Sequence, residues 1–265
     1  EHLIVVSDEH KPMKVCRENM EKLFAFVDLY PHYFIGSNSD LPITGGSILT
    51  HEHFQGGRHI FPMMKAKDAF IIPQTKFPSV KLSYLDFYNS AFRLVGKSKK
   101  DILDFAMHIN GVWQKHDDKS VDIYANTDGE RHSSLTSIVT KQGDEYSLYL
   151  ILRNNYCSDR YPDGLFHAHP EYHHIKKEGI GLIEAMGLFI LPPRLKRQSS
   201  IMSEIIAKDI PADEYLADHP DLEAFVGMIN ELKKRRGEPA EDIVREAISD
   251  VCRNILDNTS VFKKD

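Results

Sequence analysis

Cysteine is scarce in this chain, and its placement excludes as much as its number does. Cys16, Cys157 and Cys252 are the only three cysteines among 265 residues. None has the close spacing of a metal-binding pair, and an odd count cannot close into a disulfide framework. Isolated thiols suit a reducing compartment, so a cytoplasmic location is expected. Positive charge is also in deficit: 33 Lys and Arg face 39 Asp and Glu, for a formal net charge of -6. That balance argues against a nucleic-acid partner. The best basic run, Lys233-Lys234-Arg235-Arg236, is short and reads as the solvated end of a helix. No apolar run reaches membrane-spanning length and no signal peptide is evident, so no membrane partner is expected.

What is present is the composition of an ordinary soluble globular protein, 42% hydrophobic and 27% charged. The length allows one large domain or two small ones. Leu3–Val6 predicts a strand by its β-branched run. Met20, Leu23, Phe24 and Val27 recur at helical steps within Arg17–Leu29, where Glu18 stands one turn before Lys22. Tyr33-Phe34-Ile35 predicts the next strand, and a turn-rich loop runs from Gly36 to Gly46. The same order then returns. Phe92–Val95 predicts a strand, and Ser98 with Asp101 signals a helix start. Ile102, Phe105, Ala106, Ile109 and Trp113 supply that helix's apolar face, and Val121–Ala125 predicts a closing strand. The interval from Val6 to Ile35 equals that from Val95 to Tyr124, which reads as an internal strand–helix–strand duplication. Ser134–Thr140 and Tyr146–Leu152 flank Gln142-Gly143-Asp144 as a hairpin, and Ala240–Ile255 has helical periodicity. The fold class expected is α+β, an antiparallel sheet with packed helices and a helical C-terminal segment.

The chemistry concentrates in His51-Glu52-His53-Phe54-Gln55, flanked by Gly45-Gly46-Ser47 and Gly56-Gly57. In an extended run, His51, His53 and Gln55 project from one side. Neutral imidazole is a good nucleophile towards phosphorus near pH 7, and an amide can donate to phosphoryl oxygens. A bare H-x-H is better explained by two surface histidines in a loop, and the glycines could belong to an ordinary turn. The surrounding sequence is more specific. Asn38 through Gly57 resembles the active-site segment of galactose-1-phosphate uridylyltransferases, more narrowly their second bacterial sequence class. A second block agrees, from Leu150-Ile151-Leu152-Arg153-Asn154-Asn155 through Phe166-His167-Ala168-His169-Pro170 to Leu191-Pro192-Pro193-Arg194-Leu195. These transferases are related to the wider histidine-triad superfamily.

The resemblance implies two histidine-triad-like halves: residues 1–78 are the C-terminal part of the first, carrying H-x-H-x-Q, and residues 79–197 are the second, followed by a helical segment at 198–265. It implies that His53 attacks the α-phosphorus of UDP-glucose and carries the uridylyl group to galactose 1-phosphate. The products are UDP-galactose and glucose 1-phosphate. Gln55 matches the residue that holds phosphoryl oxygens. His51 corresponds to a zinc ligand in the other class, has no C-x-x-C to complete that site here, and is expected to position His53 or its substrate. Asn38, Gly45, Gly46, Ser47, Arg153, His173 and Lys176 are the expected substrate contacts. His167 and His169, with His132, could hold a divalent transition metal, zinc or iron; substrate contact or a packed polar cluster is the other reading of that pair. The family's chains carry a region before the equivalent of Glu1, so a longer protein is expected. A homodimer stays open. A related nucleotide-sugar phosphorylase or hydrolase, and a non-catalytic remnant keeping the fold, are the competing functional readings.

Overall fold

The computed structural model describes residues 2–46, 48–73, 76–235 and 237–263. These form two compact units. The first comprises residues 1–167, 179–188 and 256–265, and the second residues 168–178 and 189–255.

The first unit is built on an antiparallel sheet of eight strands. In chain order they are β1 (His2–Val6), β2 (Phe34–Ser37), β3 (His53–Gly57), β4 (Asp68–Ile71), β5 (Lys81–Leu85), β6 (Ala91–Gly96), β9 (Ser133–Gln142) and β10 (Glu145–Asn154). A separate two-stranded ribbon, β7 (Asn126–Thr127) and β8 (Glu130–Arg131), lies between β6 and β9 in sequence. Across the large sheet the order is β1-β3-β2-β9-β10-β6-β5-β4, every neighbour antiparallel. This places β3, the strand of the histidine motif, between β1 and β2.

Helices α1 (Arg17–Leu29) and α3 (Lys99–Trp113) cover one face. Met20, Leu23, Phe24 and Val27 of α1 are buried as their spacing requires. With Ile102, Phe105, Ala106 and Trp113 of α3 they meet Ile35, Phe54, Leu135, Val139, Leu148, Leu150 and Leu152 from the strands in one hydrophobic core. Side chains alternate across a strand, so Phe54 in the core puts His53 and Gln55 on the face away from these helices. The indole of Trp113 donates to the carbonyls of Ser134, at 3.0 Å, and Arg153, at 3.1 Å, joining α3 to both strands of the long hairpin.

The antiparallel α+β class is as expected. Most expected elements form near their sequence boundaries, but one does not. Val121–Ala125 is no strand: Lys119–Val121 is a short 3-10 turn, Asp122 is left-handed, and Ile123 makes only an isolated bridge to Asp118. Asp118 is the reason, because its carboxylate accepts from the Ser120 amide and hydroxyl and curls the chain before it can extend.

The second unit is helical, with α5 (Arg194–Lys208), α6 (Ala212–Asp218), α7 (Val226–Leu232) and α8 (Ala240–Thr259) up to Ile255. Two four-residue helices, α2 (Pro62–Lys65) and α4 (Leu182–Ala185), belong to the first. Among the described residues no helix is long and apolar enough to cross a membrane.

The cap at Ser98 offers a local test. Its hydroxyl accepts from the Asp101 amide at 3.2 Å. Ser98→Ala should lower unfolding stability by ~1 kcal/mol in urea titration, and Ser98→Asp should retain the wild-type midpoint to within a few tenths.

Candidate functional site

His53 opens β3, and its ring is fixed from within its own motif. Nδ1 lies 2.9 Å from the carbonyl oxygen of His51. A carbonyl can only accept, so Nδ1 must carry the proton in that bond. In the neutral imidazole the lone pair is then on Nε2, the atom remote from the backbone. The His53 amide donates to the Met13 sulfur at 3.3 Å, which holds the strand start against the preceding loop. Gln55 follows two residues on, half-buried and on the same face.

His51 departs from expectation. The strand begins only at His53, so His51 does not share the run of one-sided side chains. Its Nε2 faces the Ser7 carbonyl at 2.8 Å and its ring lies edge-on to His10, with centroids 4.6 Å apart. The contact His51 makes with His53 is through its main-chain oxygen, not its imidazole.

The loop between β2 and β3 supplies the other nearby groups. β2 pairs Gly36 with Gln55, and carrying that register two residues on brings Asn38 level with His53. Asn38 is buried, and its Oδ1 has no hydrogen-bond partner among the described residues. Gly45 has a φ of +96°, and a Cβ there would stand 2.5 Å from the Ile180 carbonyl oxygen. Only glycine fits that conformation and that closeness. At Gly46 a Cβ would meet Leu49 at 2.6 Å and the Ser39 carbonyl at 3.0 Å. Ser47 lies outside the described residues. Ile43 holds a φ of +70°, a strained value for a β-branched residue, in the middle of this loop.

Arg153 is on the same sheet face as His53 but in β10, three strands away, roughly 14 Å at ordinary strand spacing. It is only 2% exposed. Nη2 donates to the Ile180 carbonyl at 2.9 Å, the same oxygen that crowds Gly45, while Nη1 has no partner among the described residues. Burial pushes the guanidinium down to about 10, with Glu184 pulling the other way. Leaving such groups unsatisfied costs ~1–3 kcal/mol each, so the buried Asn38 oxygen and Arg153 nitrogen call for an explanation beyond packing.

His173 and Lys176 lie in the second unit. There His173 Nε2 meets the Ala168 carbonyl at 3.0 Å, and the buried Lys176 ammonium donates to the Ile190 carbonyl at 3.0 Å. Their neighbour His174 packs edge-on against Phe225, and burial lowers its pKa, with Arg194 adding to the effect.

The expected extended H-x-H at His167 and His169 is not formed. His169 instead caps the 3-10 turn Pro170–Tyr172, because proline disfavours continued strand pairing and starts the turn. His167 falls in the first unit and His169 in the second. His132 is engaged at both ring nitrogens, by the Thr127 hydroxyl and by Asn155 Oδ1 at 2.8 Å. Among the described residues no three His, Cys, Asp or Glu side chains come together as a metal would require. With both ring nitrogens engaged, His132 as placed does not fit a zinc or iron site.

Two acidic residues, one near the motif and one within it, hold its surroundings in place. Asp40 accepts from Ser134 at 2.6 Å and from the Val15 amide at 3.0 Å, and pairs with Arg131 at 2.9 Å. It thereby ties the Asn38–Gly46 loop to β9. Glu52 lies inside H-x-H itself and is buried, paired with Lys22 at 2.7 Å. The available signal was its position: an acidic residue alternating with histidines must face the core side, where a charge needs a partner.

Comparison with known proteins gives this arrangement a family. The family model described as galactose-1-phosphate uridyl transferase, C-terminal domain, matches residues 25–219. The chain belongs to that family. It is 41% identical over 268 residues to a galactose-1-phosphate uridylyltransferase of Halalkalibacterium halodurans, covering 100% of this chain and 53% of that protein. The protein of the same name from Caldanaerobacter subterraneus subsp. tengcongensis is 43% identical over 280 residues, again with 100% and 53% covered. One from Streptococcus pneumoniae is 39% identical over 273 residues, at the same coverage. The chain thus spans about half the length of the curated relatives it matches. A solved DUF4931 family protein from Bacillus cereus ATCC 10987 aligns over 60% of this chain and 78% of its own, with a TM-score of 0.36 and 14% identity.

Asp40 yields a pH-dependent prediction. Burial opposes its ionisation, but Ser134, the Val15 amide and Arg131 outweigh it and hold the carboxyl below its ordinary value. The unfolded chain therefore binds the proton more readily than the folded one. The resulting stability is present above the unfolded value of about 3.9 and lost as pH falls through the lower folded value. Asp40→Asn should cost ~1.5–3 kcal/mol at pH 7, with the gap to wild type closing in acid. Chemical denaturation across pH checks this, and a gap independent of pH would contradict it.

Proposed function

We propose that this chain carries the nucleophile of a uridylyltransferase that moves UMP from UDP-glucose to galactose 1-phosphate in galactose catabolism. The observation that supports it most is the contact between His53 Nδ1 and the His51 carbonyl, which directs the lone pair to Nε2. Family membership and the names of the curated relatives supply the substrate class.

In the first displacement Nε2 attacks the α-phosphorus. A nitrogen–phosphorus bond forms, the bond to the bridging oxygen breaks, and glucose 1-phosphate leaves with the electron pair. In the second, a phosphate oxygen of galactose 1-phosphate attacks the same phosphorus and the nitrogen–phosphorus bond breaks. UDP-galactose departs and neutral His53 is regenerated. Gln55 is the donor to the phosphoryl oxygens, being two residues along the same face. Asn38 is the next substrate contact, because its buried oxygen needs a donor and lies level with His53. Gly45, Gly46 and Ser47 form the phosphate path, and Arg153 acts on that path through Ile180.

We further read residues 1–78 as the C-terminal part of a first histidine-triad-like half and 79–197 as the second, followed by a helical segment at 198–265. The matching orders β1–α1–β2 and β6–α3 favour this, although the second run lacks its closing strand. Three unpaired thiols favour a cytoplasmic setting.

Labelling tests the reading. UDP-glucose with a radioactive α-phosphate should label the protein alone, exchange should follow ping-pong kinetics, and His53→Ala should abolish the label. Gln55→Ala should retain labelling but raise its barrier by ~2–4 kcal/mol. A sequential mechanism with no adduct, or full labelling of His53→Ala, would overturn it.

A further inference from the structure

Glu52 stands between the two histidines yet points away from the chemistry. It precedes β3 on the side of Phe54, facing α1, while His53 faces the opposite side. Its side chain is 6% exposed. One carboxylate oxygen accepts from Lys22 at 2.7 Å and lies 3.8 Å from the Lys11 ammonium, and the other accepts from Asn19 at 3.3 Å. Lys22 and Asn19 are one turn apart on α1, so the carboxylate is clamped to a single helix face and to the loop before it.

The main chain of the same residue is held as firmly. The Glu52 amide donates to the Lys11 carbonyl at 2.7 Å, and the Glu52 carbonyl accepts from the Ser7 amide at 3.0 Å. Lys11 is therefore engaged by Glu52 at both its carbonyl and its ammonium. In a trans peptide the N–H and the preceding C=O point in opposite directions. The bond from the Glu52 N–H to Lys11 thus fixes the direction of the His51 C=O. That carbonyl is the acceptor for Nδ1 of His53.

We propose that Glu52 is a positioning residue: its ion pairs with Lys11 and Lys22 lock the His51–Glu52 peptide, which keeps the proton on Nδ1 of His53 and the lone pair on Nε2. Its consequence for rate rests on the reading of His53 as the nucleophile; its consequence for the imidazole does not. Losing the carboxylate releases Lys11 and Lys22, the peptide plane rocks, and His53 loses its fixed acceptor. The imidazole then samples both tautomers, and a fraction of the protein presents a protonated Nε2.

The test is made on unliganded protein labelled with 15N-histidine. Long-range proton–nitrogen spectra read the tautomer of each ring, and His53→Gln assigns the His53 signals. Wild type should show the Nδ1–H form at His53. Glu52→Ala should show averaged nitrogen shifts for that ring. Its uridylylation rate should fall about tenfold to a hundredfold while the KM for UDP-glucose stays within about twofold, as for a misplaced reacting group. Glu52→Gln keeps one acceptor oxygen for Lys22 but loses the ion pairs and the bond from Asn19, so it should restore both signals only in part. Lys22→Met should fall between them, and it carries the test if Glu52→Ala does not fold. A merely structural role would lower the melting temperature and leave the tautomer in place. Folded Glu52→Ala or Lys22→Met with the wild-type His53 tautomer would therefore overturn the proposal. Wild-type protein that shows the Nδ1–H form but takes no label from UDP-glucose would instead remove the proposed reaction and leave the role of Glu52 standing.

Discussion

One peptide plane, between His51 and Glu52, connects the fold of this protein to its candidate chemistry. Its N–H is fixed on Lys11 and its C=O accepts the hydrogen bond from His53 Nδ1. Everything around it serves that orientation. The Ser7 amide holds the next carbonyl, the Ser7 carbonyl holds the His51 ring, and the Met13 sulfur accepts from the His53 amide. An imidazole that is a nucleophile at only one nitrogen needs its other nitrogen occupied, and a main-chain carbonyl does this without adding charge.

The sheet divides the labour between its faces. On one side, α1 and α3 seal an apolar core through Phe54, Ile35, Leu135 and Leu150. On the other, polar side chains accumulate: His53, Gln55, Ser134 and Arg153 all follow from the same alternation. Burial of so many polar groups is tolerable only where each is bonded, and most are. Asp40 bonds Ser134, Arg131 and the Val15 amide, and Arg153 bonds Ile180. Among the described residues, Asn38 Oδ1 and Arg153 Nη1 on this side have no hydrogen-bond partner.

Much of this was legible in the residue pattern, for identifiable reasons. Helix Arg17–Leu29 was readable to its ends because four apolar residues at helical steps all had a core to enter. Ser98 announced α3 because capping is a local interaction between residues three apart. The hairpin of β9 and β10 followed from alternation around Gly143. What failed was non-local or depended on a single turn. Val121–Ala125 has strand-like composition, but the Asp118 side chain bends the chain first. His167 and His169 look like a strand pair until Pro170 is weighed as the start of a turn. The charge partners of Asp40 and Glu52 come from residues far away in sequence, which spacing does not reveal. The motif itself showed that His53 and Gln55 share a face, but not that His51 contributes a carbonyl in place of a ring.

The central claim is that Nε2 of His53, and no other atom, receives the uridylyl group. The most direct measurement is the nitrogen–phosphorus coupling in protein labelled with 15N-histidine, after reaction with UDP-glucose. Phosphorus coupled to Nε2 of His53, with Nδ1 still protonated, is the result this structure predicts. Phosphorus on Nδ1, or on any residue other than His53, would contradict it.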